Sequence, residues 1–314
     1  MNKVGLIETA ESSPVFRQVL LRGQADLMVW SPEDGSIQLE EGVRQVSLQE
    51  LATAPLLLFN APLYQCRNLA RKLGDVISGR HALVHTIRGL EPGTGKVVSK
   101  ILQEETPTQR LGFLTGPVLA LDQEKGRPAA GVCGSLFPEV HDLLDDALSG
   151  SSYRVYRSQD LLGAEISSAY VRIIALLAGL STGLEQGASL QAMLHARGLA
   201  EVSRMVVFFE GFERTTFGLS GLGNLHLDTS GEGSKDYRIG TFIAAKKNVT
   251  EELIFKTFDF EARELLEMVK VLKQKSDKAS LDTPFLDALY AMVYQGLSST
   301  EVAQGLTSRP ALYE

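Results

Sequence analysis

SQDLLGAEISSAYVRIIALLAGLSTGL, residues 158–184, is where the character of the chain changes. Its apolar residues recur at helical spacing, and no convincing strand follows it. ASLQAMLHARGLAEVSRMVVFF (188–209), TEELIFKTFDFEARELLEMVKVLKQK (250–275) and TPFLDALYAMVYQG (283–296) continue the helical pattern. Upstream the rhythm is different. Short apolar runs at 3–7, 26–30, 55–60, 81–87, 110–116, 129–134 and 153–157 read as strands. The amphipathic stretches 15–23, 65–77, 95–105 and 139–148 between them read as helices. Such nearly continuous apolar strands belong to a buried, mostly parallel sheet. The expected architecture is therefore an open α/β domain over 1–157 followed by an all-helical domain over 158–314. A ligand would then lie in the cleft between them. FGLSGLGNLHLDTSGEGSKDYRIG (217–240) separates two helical groups and is long for a plain connector, which makes it a functional-loop candidate.

Composition narrows the function classes. The 314 residues leave room for two cores, and a net charge of −7 comes with no basic stripe, which argues against nucleic acid as a partner. MNKVGLIETAESSPVF at the start has no apolar signal region, and no run reaches eighteen apolar residues, so neither export nor a membrane partner is expected. Cys66 and Cys133 lack metal or redox spacing and read as buried small hydrophobes in a reducing, cytoplasmic setting. His81, His85, His141, His195 and His226 show no metal spacing, so no metal site is expected.

The first strand, KVGLI, is where a dinucleotide-binding (Rossmann-like) domain would run into G-x-G-x-x-G, whose glycines admit the pyrophosphate to a helix N-terminus. If Ile7 ends the strand, Glu8, Ala10 and Ser13 hold the three glycine positions. Their side chains take space that phosphates need, and Glu8 and Glu11 bring negative charge. Ser12 or Ser13 is expected to cap the next helix, with Pro14 in its first turn. The second strand ends in Val29-Trp30-Ser31-Pro32 without an acidic residue for a ribose. Glu33 and Asp34 follow in a turn and read as solvated. No bound cofactor is expected, and NAD(P) is the candidate if any is retained.

Several ordered stretches from residue 88 to the C-terminus resemble bacterial NAD(P)-dependent glycerol-3-phosphate dehydrogenase. They include RGLEPGT (88–94), TGP (115–117), YRVYRSQDLLGAEI (153–166), LLAGLSTGL (176–184), HARGLAEVSR (195–204), FGLSGLGNLHL (217–227), SKDYRIG (234–240) and the ending PFLDALYAMVYQGLSSTEVAQGLTSRPALYE. The resemblance implies a Rossmann-like domain followed by a 6-phosphogluconate dehydrogenase-like helical domain, NAD(P) as cofactor, and lysines that polarise the substrate oxygen. The lysine of the family's K-G-I-E-P-G-T matches Arg88, which keeps the charge but does not release its proton. The second lysine, in G-V-E-L-G-G-A-L-K-N-V, falls on Val171, and the following asparagine on Arg172. Arg172 is displaced by about 100° around a helix and does not replace that lysine. Tyr170 is displaced too, and its ordinary pKa is too high for a base. The family's G-L-G-D-L becomes Gly221-Leu222-Gly223-Asn224-Leu225, and Asp228 replaces a threonine. The R-N pair that holds the substrate phosphate becomes Lys235-Asp236.

Three expectations follow. The first is a pseudoenzyme kept for binding, assembly or regulation, because a missing base costs about 10² to 10⁴ in rate and a lost electrostatic stabiliser roughly 10² to 10³ more. The alternative is a divergent NAD(P)-dependent oxidoreductase acting on glycerol 3-phosphate, dihydroxyacetone phosphate or another small phosphorylated or carboxylate substrate. In that case Arg88, Arg172, Lys235 and Arg238 form a cationic cluster for a small anionic ligand; otherwise they pair with Glu165, Asp228 and Asp236. Third, VVFFEGF (206–212) and IFKTFDF (254–260) are candidate surfaces for a homodimer or a protein partner.

Overall fold

β1 (Lys3–Glu8), β2 (Asp26–Trp30), β3 (Arg44–Gln45), β4 (Leu56–Asn60), β5 (Ala82–His85), β6 (Leu111–Thr115), β7 (Ala129–Gly134) and β8 (Tyr153–Ser158) form one sheet. The computed structural model describes residues 3–23, 25–33, 37–40, 42–230, 234–246 and 250–307. Asp34, residues 231–233 of the Gly-rich segment and the terminal 308–314 lie outside the described residues.

The strand order is β3-β2-β1-β4-β5-β6-β7-β8, with every pairing parallel except β6 with β7. The apolar runs predict the inner strands because both of their faces are covered. Every residue of β4 is buried, whereas β8 at the edge is largely exposed. α1 (Val15–Leu21) covers one face, and α2 (Leu48–Leu51), α3 (Leu63–Gly74) and α4 (Val98–Glu105) cover the other. α5 (Ala120–Glu124) lies beside α1, and α6 (Pro138–Leu148) returns to the face of α1. The two-residue β3 and the short α2 and α5 escape the sequence pattern, since none is long enough to show a period.

Helix dominates from Leu161 onward. α7 (Leu161–Gly183), α8 (Ala188–Phe208), α9 (Asn224–Asp228), α10 (Lys235–Ala244), α11 (Glu251–Ala279), α12 (Pro284–Tyr294) and α13 (Ser299–Thr307) pack around α7. Asp160 caps α7 by accepting from the amide of Gly163, and the same carboxylate takes the amide of Phe212 and the hydroxyl of Thr215. α7 is long and apolar enough to cross a membrane by length and composition, but 89% of that window is buried inside the protein, so it is the core helix of this half. α10 packs against it at very close range. A Cβ at Gly240 would sit 1.9 Å from the carbonyl oxygen of Leu176, and one at Gly179 would sit 2.0 Å from that of Tyr237.

The Gly-rich segment is not the open loop that its composition predicts. Leu219–Gly223 forms a π-helical turn that runs directly into α9, and Lys235 begins α10. Gly221 serves close packing: a Cβ there would meet the carbonyl of Thr216 at 1.9 Å.

Candidate functional site

A cleft of about 320 Å³ opens at the C-terminal ends of β1, β4 and β5, on the side facing the helical half. β1 lies between β2 and β4, so chain connections leave it in opposite directions. Open α/β sheets form their ligand crevices at such a point. Ser12, Ser13, Asn60 and Thr86–Arg88 line it from the sheet, and Arg172, Lys235, Asp236, Phe260 and Glu264 line it from the helices.

The turn after β1 is tied down from within. Glu8 is buried, and its carboxylate accepts from Arg17 Nη1 at 2.5 Å and from Asn60 Nδ2 at 3.1 Å. Arg17 also meets Glu40 at 2.9 Å. Burial pushes the Glu8 carboxyl up to about 7, against the opposing pull of Arg17 and Asn60. The Ser12 hydroxyl donates to the carbonyl of Asn60 at 2.6 Å and accepts from the amide of Thr9 at 3.0 Å. Neither serine caps the next helix, contrary to expectation. Pro14, whose ring carries no acceptor, holds the N-cap position of α1, and the Ser12 hydroxyl is turned to Asn60 instead. Ala10 and Ser13 are exposed on the turn, as is Glu11, which lines the cleft and accepts from the Tyr64 hydroxyl. The turn therefore offers a buried carboxylate, an exposed carboxylate and a committed amide where a dinucleotide needs free amides and close backbone approach. These residues do not fit a pyrophosphate. At the end of β2, Ser31 is buried and accepts from the amide of Glu33 at 3.4 Å.

Arg88 and Arg172 come together on the other wall, each facing a carboxylate. Arg88 Nη2 donates to Asp228 Oδ2 at 2.6 Å, and Arg88 Nε donates to the carbonyl of Ser168 at 3.2 Å. Arg172 forks onto Asp236 at 2.9 and 3.1 Å, and its Nη1 donates to the carbonyl of Arg88 at 2.8 Å. Both Arg172 and Asp236 are buried. Lys235 lies 5.9 Å from the centroid of the Phe260 ring. Arg238, grouped with these cations in the sequence reading, is exposed on α10 and does not line the cleft. It lies three residues from Lys235, on a turn whose intervening Asp236 already faces inward. The expected pairing of Glu165 with this cluster is also not what the structure holds. Glu165 accepts from the amide and hydroxyl of Ser99 at 2.9 and 2.6 Å, and His85 Nε2 lies 3.0 Å from it but off the line of a hydrogen bond.

The two remaining positions singled out by the resemblance, Val171 and Asn224, are both buried. Val171 is fully buried in the core of the helical half. Asn224 is buried, and its amide nitrogen lies within bonding reach of Thr115 Oγ1 and Ser168 Oγ, both at 3.1 Å, and of the Ser220 carbonyl at 3.0 Å. Tyr170 points away from the cleft and donates to Glu201 Oε1 at 2.7 Å; burial holds its hydroxyl well above its ordinary pKa. Among the described residues no group of three or more His, Cys, Asp or Glu is placed to hold a metal ion.

Sequence reasoning missed the mouth of the cleft. Tyr64 on α3 donates its amide to Glu264 Oε1 at 2.9 Å and packs against Phe260 with the rings tilted and their centroids 5.4 Å apart. These contacts join residues about two hundred positions apart, and no local pattern announces them.

Two family models match the chain. The C-terminal region of NAD-dependent glycerol-3-phosphate dehydrogenase matches residues 160–304, and the N-terminal region matches residues 36–139. The second match begins beyond β1, the turn that follows it and α1. Glycerol-3-phosphate dehydrogenase [NAD(P)+] of Sinorhizobium fredii is 33% identical over 267 residues, covering 84% of this chain and 78% of the relative. The same enzyme of Pseudomonas aeruginosa is 30% identical over 270 residues, covering 85% and 78%. The crystal structure of glycerol-3-phosphate dehydrogenase from Coxiella burnetii superimposes with a TM-score of 0.86 at 20% identity, over 98% of this chain and 99% of that one, which shows a shared fold.

Proposed function

Because the chain belongs to the NAD-dependent glycerol-3-phosphate dehydrogenase family, we propose that it is a non-catalytic member whose cleft no longer binds NAD(P) or turns over substrate. The observation that carries this reading is Val171, which is buried in the helical core at the position of a family lysine. A valine cannot polarise an oxygen or take a proton, and the other lysine position holds an arginine whose charge is spent on Asp228. The tied turn after β1 supports the loss of the dinucleotide.

The test is an assay of the purified protein with glycerol 3-phosphate or dihydroxyacetone phosphate and with both nicotinamide cofactors. No turnover above background is expected. Turnover at about 1 s⁻¹, low but ordinary for an enzyme, would overturn the proposal.

The retained role is association, as a homodimer or with a protein partner, in a cytoplasmic setting. Val207, Phe208, Phe212, Phe217 and Leu222 are exposed where α8 ends and the turns that follow it begin, which supports such a surface. Burial leaves Cys66 and Cys133 unreactive, with the Cys133 thiol pushed up to about 12.

A further inference from the structure

We propose that Asp228 and Asp236 are built-in occupants of the cleft, taking the places at Arg88 and Arg172 that an anionic ligand would otherwise fill and closing a latent phosphate site. The inference rests on the non-catalytic reading of the cleft and deepens it by saying what the two guanidinium groups now hold.

The geometry has three parts. First, Arg88 and Arg172 are neighbours, since Arg172 Nη1 donates to the carbonyl of Arg88 at 2.8 Å. Both residues line the cleft, and each guanidinium offers a planar fork of donors that suits an anion. Second, each fork is taken. Arg172 makes two bonds to Asp236, and Arg88 reaches both oxygens of Asp228, at 2.6 and 3.4 Å. A carboxylate presents two oxygens in the spacing that a phosphate presents, so each aspartate satisfies its arginine as a bound anion would. Third, both aspartates are buried and both come from the helical half, on α9 and α10.

An entering phosphate therefore meets two charge-neutral pairs and has to displace a buried carboxylate, which would be left without its cation. Losing one partner of a buried pair carries a large penalty. Arg88 comes from the sheet half and Asp228 from the helical half, so the same contact joins the two halves across the cleft without a ligand. Tyr64 with Glu264 does so at the mouth.

The experiment measures binding of inorganic phosphate by calorimetric titration at constant ionic strength, on wild type, Asp236→Asn and the pair Asp228→Asn with Asp236→Asn. Wild type is expected to show no saturable binding in the low millimolar range. The double variant keeps the side-chain shapes, removes two negative charges and is expected to bind phosphate roughly tenfold tighter or better than wild type. Asp236→Asn alone is expected to fall between them. Adding Arg172→Ala to either variant is expected to abolish the gain. Submillimolar binding by wild type overturns the proposal whether or not the variants fold. A folded double variant with no more affinity than wild type overturns it too. Turnover is not read here, so a failure of this inference is distinguishable from a failure of the non-catalytic reading, which the dehydrogenase assay decides.

Discussion

Glu8 shows how one residue can change what a turn is for. At the end of a buried strand its carboxylate has no route to water, so it requires a cation and a donor, which Arg17 and Asn60 supply. That a glutamate follows the first strand is legible in the sequence, but its partners are not: Arg17 lies nine residues on, in the first turn of what reads as an ordinary amphipathic helix. Arg17→Ala is expected to cost about 3–5 kcal/mol in unfolding free energy, because it strands a buried carboxylate. Replacing both partners, Glu8→Gln with Arg17→Met, is expected to cost less than Arg17→Ala alone. Urea denaturation of the variants checks the order, and an additive double variant would mean that the pair is not coupled.

At the scale of elements, α7 is the piece from which the site is hung. It carries Ser168 and Arg172 toward the cleft and Val171 into the core, and it receives α10 along a seam of glycines. The approach at Gly240 is to backbone, which cannot rotate aside as a side chain can. Gly240→Ala is therefore expected to destabilise despite the better helix propensity of alanine. The cost is about 1–3 kcal/mol from overpacking, offset by no more than roughly 1 kcal/mol of propensity. Thermal unfolding checks it, and an unchanged or raised Tm would show that the two helices have room to part. The same change shifts Asp236 relative to Arg172, so it is also expected to loosen that pair. Elements with a long apolar period, such as α7, α8 and α11, are legible in the sequence within a few residues of their ends. α9 and the π-helical turn before it were not, because glycine and asparagine signal a loop unless a neighbour is packed against them.

Across the whole molecule, one buried carboxylate in each half is pushed up by desolvation: Glu8 in the sheet half and Glu201 in the helical half, each to about 7. Glu201 accepts from the Tyr170 hydroxyl and from the amides of Phe285 and Leu286 at the start of α12. A carboxyl whose pKa is higher in the folded state binds more protons folded than unfolded between the two values. Its contribution to stability is thus largest below about 4.5 and is lost as pH rises toward about 7. For Glu201 the loss is on the order of 3 kcal/mol at most. Unfolding free energy is expected to fall more steeply from pH 5.5 to 7.5 in wild type than in Glu201→Gln, measured by urea titration at each pH. Equal slopes would remove Glu201 as the cause. The two-part architecture was legible in the sequence alone, because apolar period distinguishes a buried parallel strand from a helix without reference to distant residues. So was the identity of the side chains that the resemblance sets against the family's lysine, aspartate and glycine positions, since those lie in local motifs. Only the tertiary structure decided what the replacements do: that Arg88 meets Asp228, Arg172 meets Asp236 and Tyr64 meets Glu264. Charge pairing in a cleft depends on which residues the fold brings within a few ångströms of each other. Separations of 140, 64 and 200 residues leave no trace of that in local pattern.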